Sequence, residues 1–150
     1  MYSVILVPVD HSPCSARAAR QALDLSRLLG SRVTLAHILT DDPNRPESAR
    51  ADAQALLERL AVGARYVPRL RLAEARGRSI PEAIVDLARD EAADLILIGT
   101  NSREGLQRLV LGSVAQAVAA RATVPVQIVP APQTELGVNG RWLRAAKSSL

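Results

Sequence analysis

The chain has 150 residues, 48% apolar and 23% charged, with 19 basic against 15 acidic side chains and a net charge of +4. That length supports one domain whose core needs no disulfide or metal, and the apolar share excludes a disordered polymer. Lys147 is the only lysine, the arginines alternate with Asp and Glu, and only Tyr2, Tyr66 and Trp142 are aromatic. This is the pattern of solvated helix faces, without a stacking platform for nucleic acid.

Cys14 is the only cysteine, which excludes an internal disulfide and fits a reducing, cytoplasmic setting. It falls near an expected helix N-terminus, where a thiol pKa can drop, but a small residue at a helix start is the favoured reading over a redox role. The apolar run Val4 to Val9 is short, contains Pro8 and follows no basic region, so no signal peptide is expected, and no stretch approaches a membrane span.

The first element is a fully buried strand over Val4-Ile5-Leu6-Val7-Pro8-Val9, because the run is continuously apolar and β-branched where a one-faced strand would alternate. Pro8 limits its further pairing. Asp10 marks the exit from the sheet, and Ser12-Pro13 opens a helix with a capping hydroxyl followed by proline at the first helical position. Ala18, Ala22, Leu25 and Leu29 recur at helical spacing, and Gly30 closes this helix.

A second strand covers Val33 to Leu39, followed by the turn-rich loop Thr40 to Pro46 and a helix with Ala49, Ala53, Leu56 and Leu60 on one face, ending near Gly63. Within Val67 to Ala75, the alternation Arg69-Leu70-Arg71-Leu72 suits a third strand near a sheet edge. Ser79-Ile80-Pro81-Glu82 is a capping box, and its helix carries Ile80, Ile84, Leu87 and Ala88 on one face. Leu95-Ile96-Leu97-Ile98 is a second fully buried strand, running to Gly99. A polar loop then leads to Gly112-Ser113 and a helix through Val114, Ala117 and Val118. The run Val124 to Val129 is a fifth strand, placed at an edge or starting near Pro125 because proline removes a ladder donor.

Five strands alternating with four helices define an α/β fold, a five-stranded, mainly parallel sheet with helices on both faces. The fold is expected over residues 1–130, with residues 131–150 as a C-terminal tail that Trp142 would anchor. The two most uniformly apolar strands, the first and fourth, should be central neighbours, which brings Asp10 and Gly99 to one crevice at the carboxyl ends of the sheet. There Gly99 would admit a ligand close to the backbone, and Gly112 and Ser113 would offer main-chain N–H groups and a hydroxyl at a helix N-terminus, which suits phosphate oxygens. Taken singly, Gly112 reads as a turn glycine, Ser113 as an N-cap and Asp10 as a cap of its own helix; their conjunction at the strand ends favours a site.

Several common motifs are absent. No lysine precedes Gly112-Ser113 as a P-loop requires, no G-x-G-x-x-G follows the first strand, and Gly99-Thr100-Asn101 lacks the serine of a hydrolase elbow. Asp10, His11 and Ser12 are sequential neighbours leaving a strand, so their side chains should diverge and a catalytic triad is not expected. His11 and His37 have no clustered cysteines or carboxylates to make a metal site.

The colinear set Ile5-Leu6-Val7-Pro8-Val9-Asp10-His11-Ser12, Leu35-Ala36-His37-Ile38, Gly77 to Ile84 and Gly99 to Val129 resembles the universal stress protein family over about residues 3–130. Members of that family that bind ATP carry Gly, two residues, Gly, nine residues, then Gly-Ser or Gly-Thr. Gly99, Gly112 and Ser113 match at that spacing, and Ser102 replaces the second glycine, adding a Cβ where the family brings backbone against phosphate. The resemblance implies the adenine nucleotide alpha hydrolase-like, Rossmann-like arrangement with strand order 3-2-1-4-5 and a homodimer through the fifth strand. It also implies that Asp10 contacts ribose or adenine, Pro8 and Val9 line the base pocket, Ile38 holds the adenine, and Val114 completes the phosphate cradle. ATP, or AMP or ADP, would be the ligand, with magnesium accompanying a triphosphate. Independently of the resemblance, Val126 and Ile128 form an apolar edge that a monomer would expose.

The expected function is thus a cytoplasmic adenine-nucleotide sensor or switch in the stress response, with at most slow ATP hydrolysis because no residue stands out as a general base. The alternative is a dimeric protein-interaction module of the same family that binds no nucleotide, with Ser102 as the mark of a lost site. A hydrolase or transferase using Asp10 and His11, or a relative of the electron-transfer flavoproteins or nucleotidyl transferases, ranks below both.

Overall fold

Continuous apolar strands need cover on both faces, and that requirement sets the layers of the molecule. The computed structural model describes residues 1–100 and 111–130; Ser102 and the 131–150 tail with Trp142 lie outside them. Strands and helices alternate as β1 (Val4–Pro8), α1 (Pro13–Leu29), β2 (Arg32–Leu39), α2 (Ala49–Ala61), β3 (Arg69–Glu74), α3 (Ile80–Asp90), β4 (Leu95–Thr100), α4 (Ser113–Arg121) and β5 (Val126–Pro130). The strand order is β3-β2-β1-β4-β5, and every pairing is parallel.

Side chains along each strand alternate between the two faces. Ile5, Val7, Val33, Leu35, Leu95 and Leu97 pack on α1 and α2, whereas Leu6, Ala36, Ile38, Ile96 and Ile98 pack on α3 and α4. Leu6 and Ile96 are wholly buried, and each such side chain contributes about 1.5–3 kcal/mol through the hydrophobic effect. At α3 the capping box forms as its sequence implies: the Ser79 hydroxyl accepts from the Glu82 N–H, and the Ser79 N–H donates to Glu82 Oε2 at 2.8 Å.

Two elements differ from the sequence reading. Helix α1 buries Cys14, Ser15, Ala18, Ala19, Ala22 and Ser26, while Leu25 and Leu29 are only half-buried. The face against the sheet is therefore lined by small side chains, which lets the helix lie close to the strands. On β3, an edge strand as expected, the arginine face is not simply solvated. Arg69 and Arg71 reach across to Glu91 at the C-terminal end of α3, each at 3.1 Å.

Pro8 has a structural consequence at the centre of the sheet. The Val9 N–H donates to Ala36 O of β2 at 2.8 Å, so by the alternation of the ladder the missing N–H of Pro8 faces β4. The register between β1 and β4 covers only Ile5 with Leu95 and Leu6 with Ile96. Beyond that point the two central strands part, and a crevice opens at their carboxyl ends.

Candidate functional site

The crevice is walled by residues from six elements and the turn after β1. Pro8, Val9 and Asp10 come from the end of β1, and Ala36, His37 and Ile38 from the end of β2. Ile80 and Ile84 of α3, Ile98 and Gly99 of β4, Val114 of α4 and Ser15 of α1 complete it. Its volume is about 150 Å³, below the roughly 300–1,000 Å³ of pockets that enclose a whole ligand. The space suits a flat apolar group seated among the isoleucines, with the remainder of a ligand extending outward.

Asp10 is the charged group of the wall, and the start of α1 holds it. Its Oδ1 accepts from the Ser12 N–H at 2.8 Å and from the Ser15 hydroxyl at 2.9 Å, while Ser15 Oγ accepts from the Asp10 N–H at 3.0 Å. Burial works to raise the Asp10 pKa, but the hydrogen bonds from Ser12 and Ser15, with His37 nearby, outweigh it and hold the carboxyl below its ordinary 3.8. An anchored carboxylate of this kind is an acceptor for hydroxyl or amino donors. Ser12 meanwhile caps α1, its hydroxyl accepting from the Ser15 N–H at 3.3 Å. Cys14 is buried under this turn, in the packing role its position suggests.

His37 Nδ1 lies 2.8 Å from Val9 O. A carbonyl only accepts, so Nδ1 carries the proton and Nε2 is left for another partner. The His11 ring stands edge-on to it at 6.1 Å. Asp10, His11 and Ser12 make no triad: Asp10 bonds to the Ser12 backbone and the Ser15 hydroxyl.

The glycine at the end of β4 has a different reason from the one its sequence context suggests. A Cβ on Gly99 would lie 2.6 Å from the backbone carbon and oxygen of Cys14 and 2.9 Å from the Ser15 nitrogen. Close approach of the α1 backbone, rather than of a ligand, therefore requires glycine here, although Gly99 also lines the crevice. Gly112 departs from expectation too. Its N–H donates to Thr100 Oγ1 at 2.7 Å, tying the start of α4 to the end of β4. The free donors of a helix start then belong to the residues after it, Ser113 and Val114, and α4 has no side-chain cap to occupy them.

Of the residues expected at the site, Pro8, Val9, Asp10, Ile38, Gly99 and Val114 meet in one crevice. Gly112 and Ser113 stand next to it at the head of α4, and Ser102 lies outside the described residues. Ser15, His37, Ile80, Ile84 and Ile98 belong to the wall without having been singled out for it. For Ser15 a signal existed, a serine one turn into a helix that starts just after Asp10; the isoleucines read only as core. Among the described residues no group of three or more His, Cys, Asp or Glu is placed to hold a metal, and no helix there is long and apolar enough to cross a membrane.

A parallel sheet in this order, with its crevice where the strand order reverses on either side of β1, is the arrangement of the adenine nucleotide alpha hydrolase-like class of folds. Within that class the chain belongs to the universal stress protein family, whose family model matches residues 1–130. A universal stress protein of Methanocaldococcus jannaschii is 30% identical over 146 residues, covering 90% of this chain and 86% of that one. Among solved structures, a universal stress protein from Archaeoglobus fulgidus superposes with a TM-score of 0.75 at 29% identity, covering 86% of this chain and 99% of that one. A universal stress protein from Archaeoglobus fulgidus in complex with dAMP gives a TM-score of 0.68 at 26% identity, covering 86% and 98%.

Proposed function

We propose that the crevice binds an adenine nucleotide, ATP or a related mono- or diphosphate, and that the protein serves as a nucleotide sensor or switch in the stress response. The observation that carries this reading is the convergence of the β1 and β4 ends with the start of α4 on one apolar crevice bearing a single anchored carboxylate. The related protein solved with dAMP supports it. The base would lie against Val9, Ile38 and Ile98, Asp10 would accept from ribose or adenine, and the Ser113 and Val114 N–H groups would receive phosphate, as helix N-termini do. Magnesium, when a triphosphate is present, would be held mainly by the phosphates. A carboxyl kept below its ordinary pKa is a poor general base, so hydrolysis by Asp10 would be slow at most.

Acid extraction of freshly purified protein, followed by chromatography, should release adenine nucleotide, and calorimetry should register ATP binding. An empty extract together with no heat of binding would end this reading. The setting is cytoplasmic, as a lone buried cysteine suits. The homodimer contact belongs on the strand expected over Val124–Val129 and found at Val126–Pro130, since β5 lies at the sheet edge and carries a row of backbone groups without a neighbouring strand among the described residues. Pro125 O accepts from the Ile96 N–H of β4, so by the alternation of the ladder the Ile128 N–H faces the open edge, and light scattering of the Ile128→Pro variant should report monomers where the parent gives dimers.

A second reading is a dimeric interaction module without nucleotide. It draws on the engaged Gly112 N–H and on Ser102 in place of glycine. The Ser102→Gly variant separates the two. A large gain in ATP affinity identifies serine as the cause of a weakened site, and unchanged tight binding shows that serine is accommodated.

A further inference from the structure

Away from the crevice, α1 and the C-terminal end of α2 enclose a groove of about 560 Å³. Arg17, Arg20, Asp24 and Arg27 follow one another along α1 at helical spacing, and Arg59 and Arg65 close the groove from the α2 side. Its floor is apolar, with Leu23, Leu60 and Val62, the last 80% exposed.

The distribution of charge sets this groove apart. Elsewhere six guanidiniums face carboxylates, Arg50 with Glu74, Arg69 and Arg71 with Glu91, Arg78 and Arg89 with Asp86, and Arg121 with Glu82, while Arg32, Arg45 and Arg76 form no ion pair among the described residues and do not line the groove. Among the described residues the groove arginines form no ion pair; Arg17 donates to Pro130 O, and Arg65 lies over the Tyr66 ring at 5.8 Å. Five guanidiniums thus share one carboxylate, in a chain whose basic and acidic residues are otherwise nearly balanced.

We propose that this groove docks an acidic segment of a partner protein that carries aliphatic side chains between its carboxylates. Guanidiniums bind carboxylates in bidentate fashion, and the exposed Val62 with Leu60 and Leu23 gives aliphatic side chains a seat that a phosphodiester chain cannot use. A single nucleic-acid strand would need a series of aromatic platforms, and Tyr66 with Arg65 over one face offers a single ring beside the groove.

The test is fluorescence anisotropy on the full chain with a labelled synthetic peptide of Glu-Glu-Leu repeats, at about 0.15 M salt. Oligoglutamate and oligothymidylate of matching length serve as comparisons. The peptide should bind, and the Arg20→Ser, Arg59→Ser double variant should weaken it about tenfold. Val62→Ser should weaken the Glu-Glu-Leu peptide while leaving oligoglutamate unchanged. All three positions are exposed, so circular dichroism and melting should match the parent, and ATP binding in the crevice, which none of them lines, should be unaffected. Failure of the peptide to bind, binding indifferent to the arginine substitutions, or oligothymidylate binding as tight as the peptide would each overturn the proposal.

Discussion

Gly99 of β4 and Cys14 of α1 meet backbone to backbone: a side-chain carbon on the glycine would fall 2.6 Å from the Cys14 carbonyl. No flexible side chain can move aside to admit it, so helix and strand must separate. Gly99→Ala should destabilise the fold by about 1–3 kcal/mol, the range of overpacked sites, seen as a lower urea midpoint with an unchanged slope. Because the same helical turn carries Ser15, the variant should also disturb the Asp10 anchor. A midpoint equal to the parent's would mean that α1 slides freely on the sheet.

Ser15 and Asp10 exchange two hydrogen bonds through one hydroxyl, so Ser15→Ala removes both at once. The Asp10 carboxyl should then titrate closer to its ordinary 3.8, which carbon-detected NMR of the carboxyl resonance can follow. A group whose folded pKa is depressed gives stability that is present above its unfolded pKa and lost as pH falls through the folded value. Asp10, Glu82 and Asp86 are all depressed, Asp10 by hydrogen bonds that outweigh burial, Glu82 by the Ser79 N–H and Asp86 by Arg78. The parent should therefore lose stability in acid below about pH 4–5, and Ser15→Ala should lose less of it over that range. An identical acid limb in the two proteins would show that Ser15 does not set the Asp10 charge.

Much of this arrangement is legible in the residues, and the reasons differ by element. The unbroken apolar runs Ile5-Leu6-Val7 and Leu95-Ile96-Leu97-Ile98 demand cover on both faces, which identifies β1 and β4 as the central pair and places the crevice at Asp10 and Gly99. Ser79 and Glu82 specify a local motif, so their geometry follows from spacing alone. The inward face of α1 is different. Periodicity marks leucines and alanines alike, and only the depth of approach at Gly99 shows that the small residues face the sheet. Arg69 and Arg71 likewise alternate as a wet face would, and nothing in β3 itself reveals that Glu91 awaits them. The Gly112 N–H is spoken for by Thr100, twelve residues earlier, and no local pattern marks that pairing.

Thr100 is buried, and its hydroxyl holds the Gly112 N–H at 2.7 Å. Thr100→Val keeps the shape but removes the acceptor, leaving the amide at the head of α4 without its partner. A cost of about 1–3 kcal/mol is expected, whereas Thr100→Ser should stay near the parent. Amide hydrogen exchange at Gly112 gives the direct readout: fast exchange in the valine variant and protection in the serine variant. Equal protection in both would show that the Thr100 hydroxyl is not what holds this turn.

Glu91 is the buried charge of the molecule's far end, with a side chain only 4% exposed, and it is met by Arg69, Arg71 and the buried Thr34 hydroxyl. The two sides of this cluster should respond unequally to substitution. Glu91→Gln retains an acceptor for Thr34 and frees two arginines, themselves about half exposed, to be hydrated; about 1 kcal/mol is expected. Removing both arginines instead strands a carboxylate with Thr34 as its remaining partner. Uncompensated buried charge costs about 3–5 kcal/mol, and the exposure of the arginines places Arg69→Ala with Arg71→Ala at the lower end of that range. Urea unfolding at neutral pH ranks the two. If the glutamine variant proves the less stable, the ion pairs rather than the desolvated carboxylate govern this edge of the sheet.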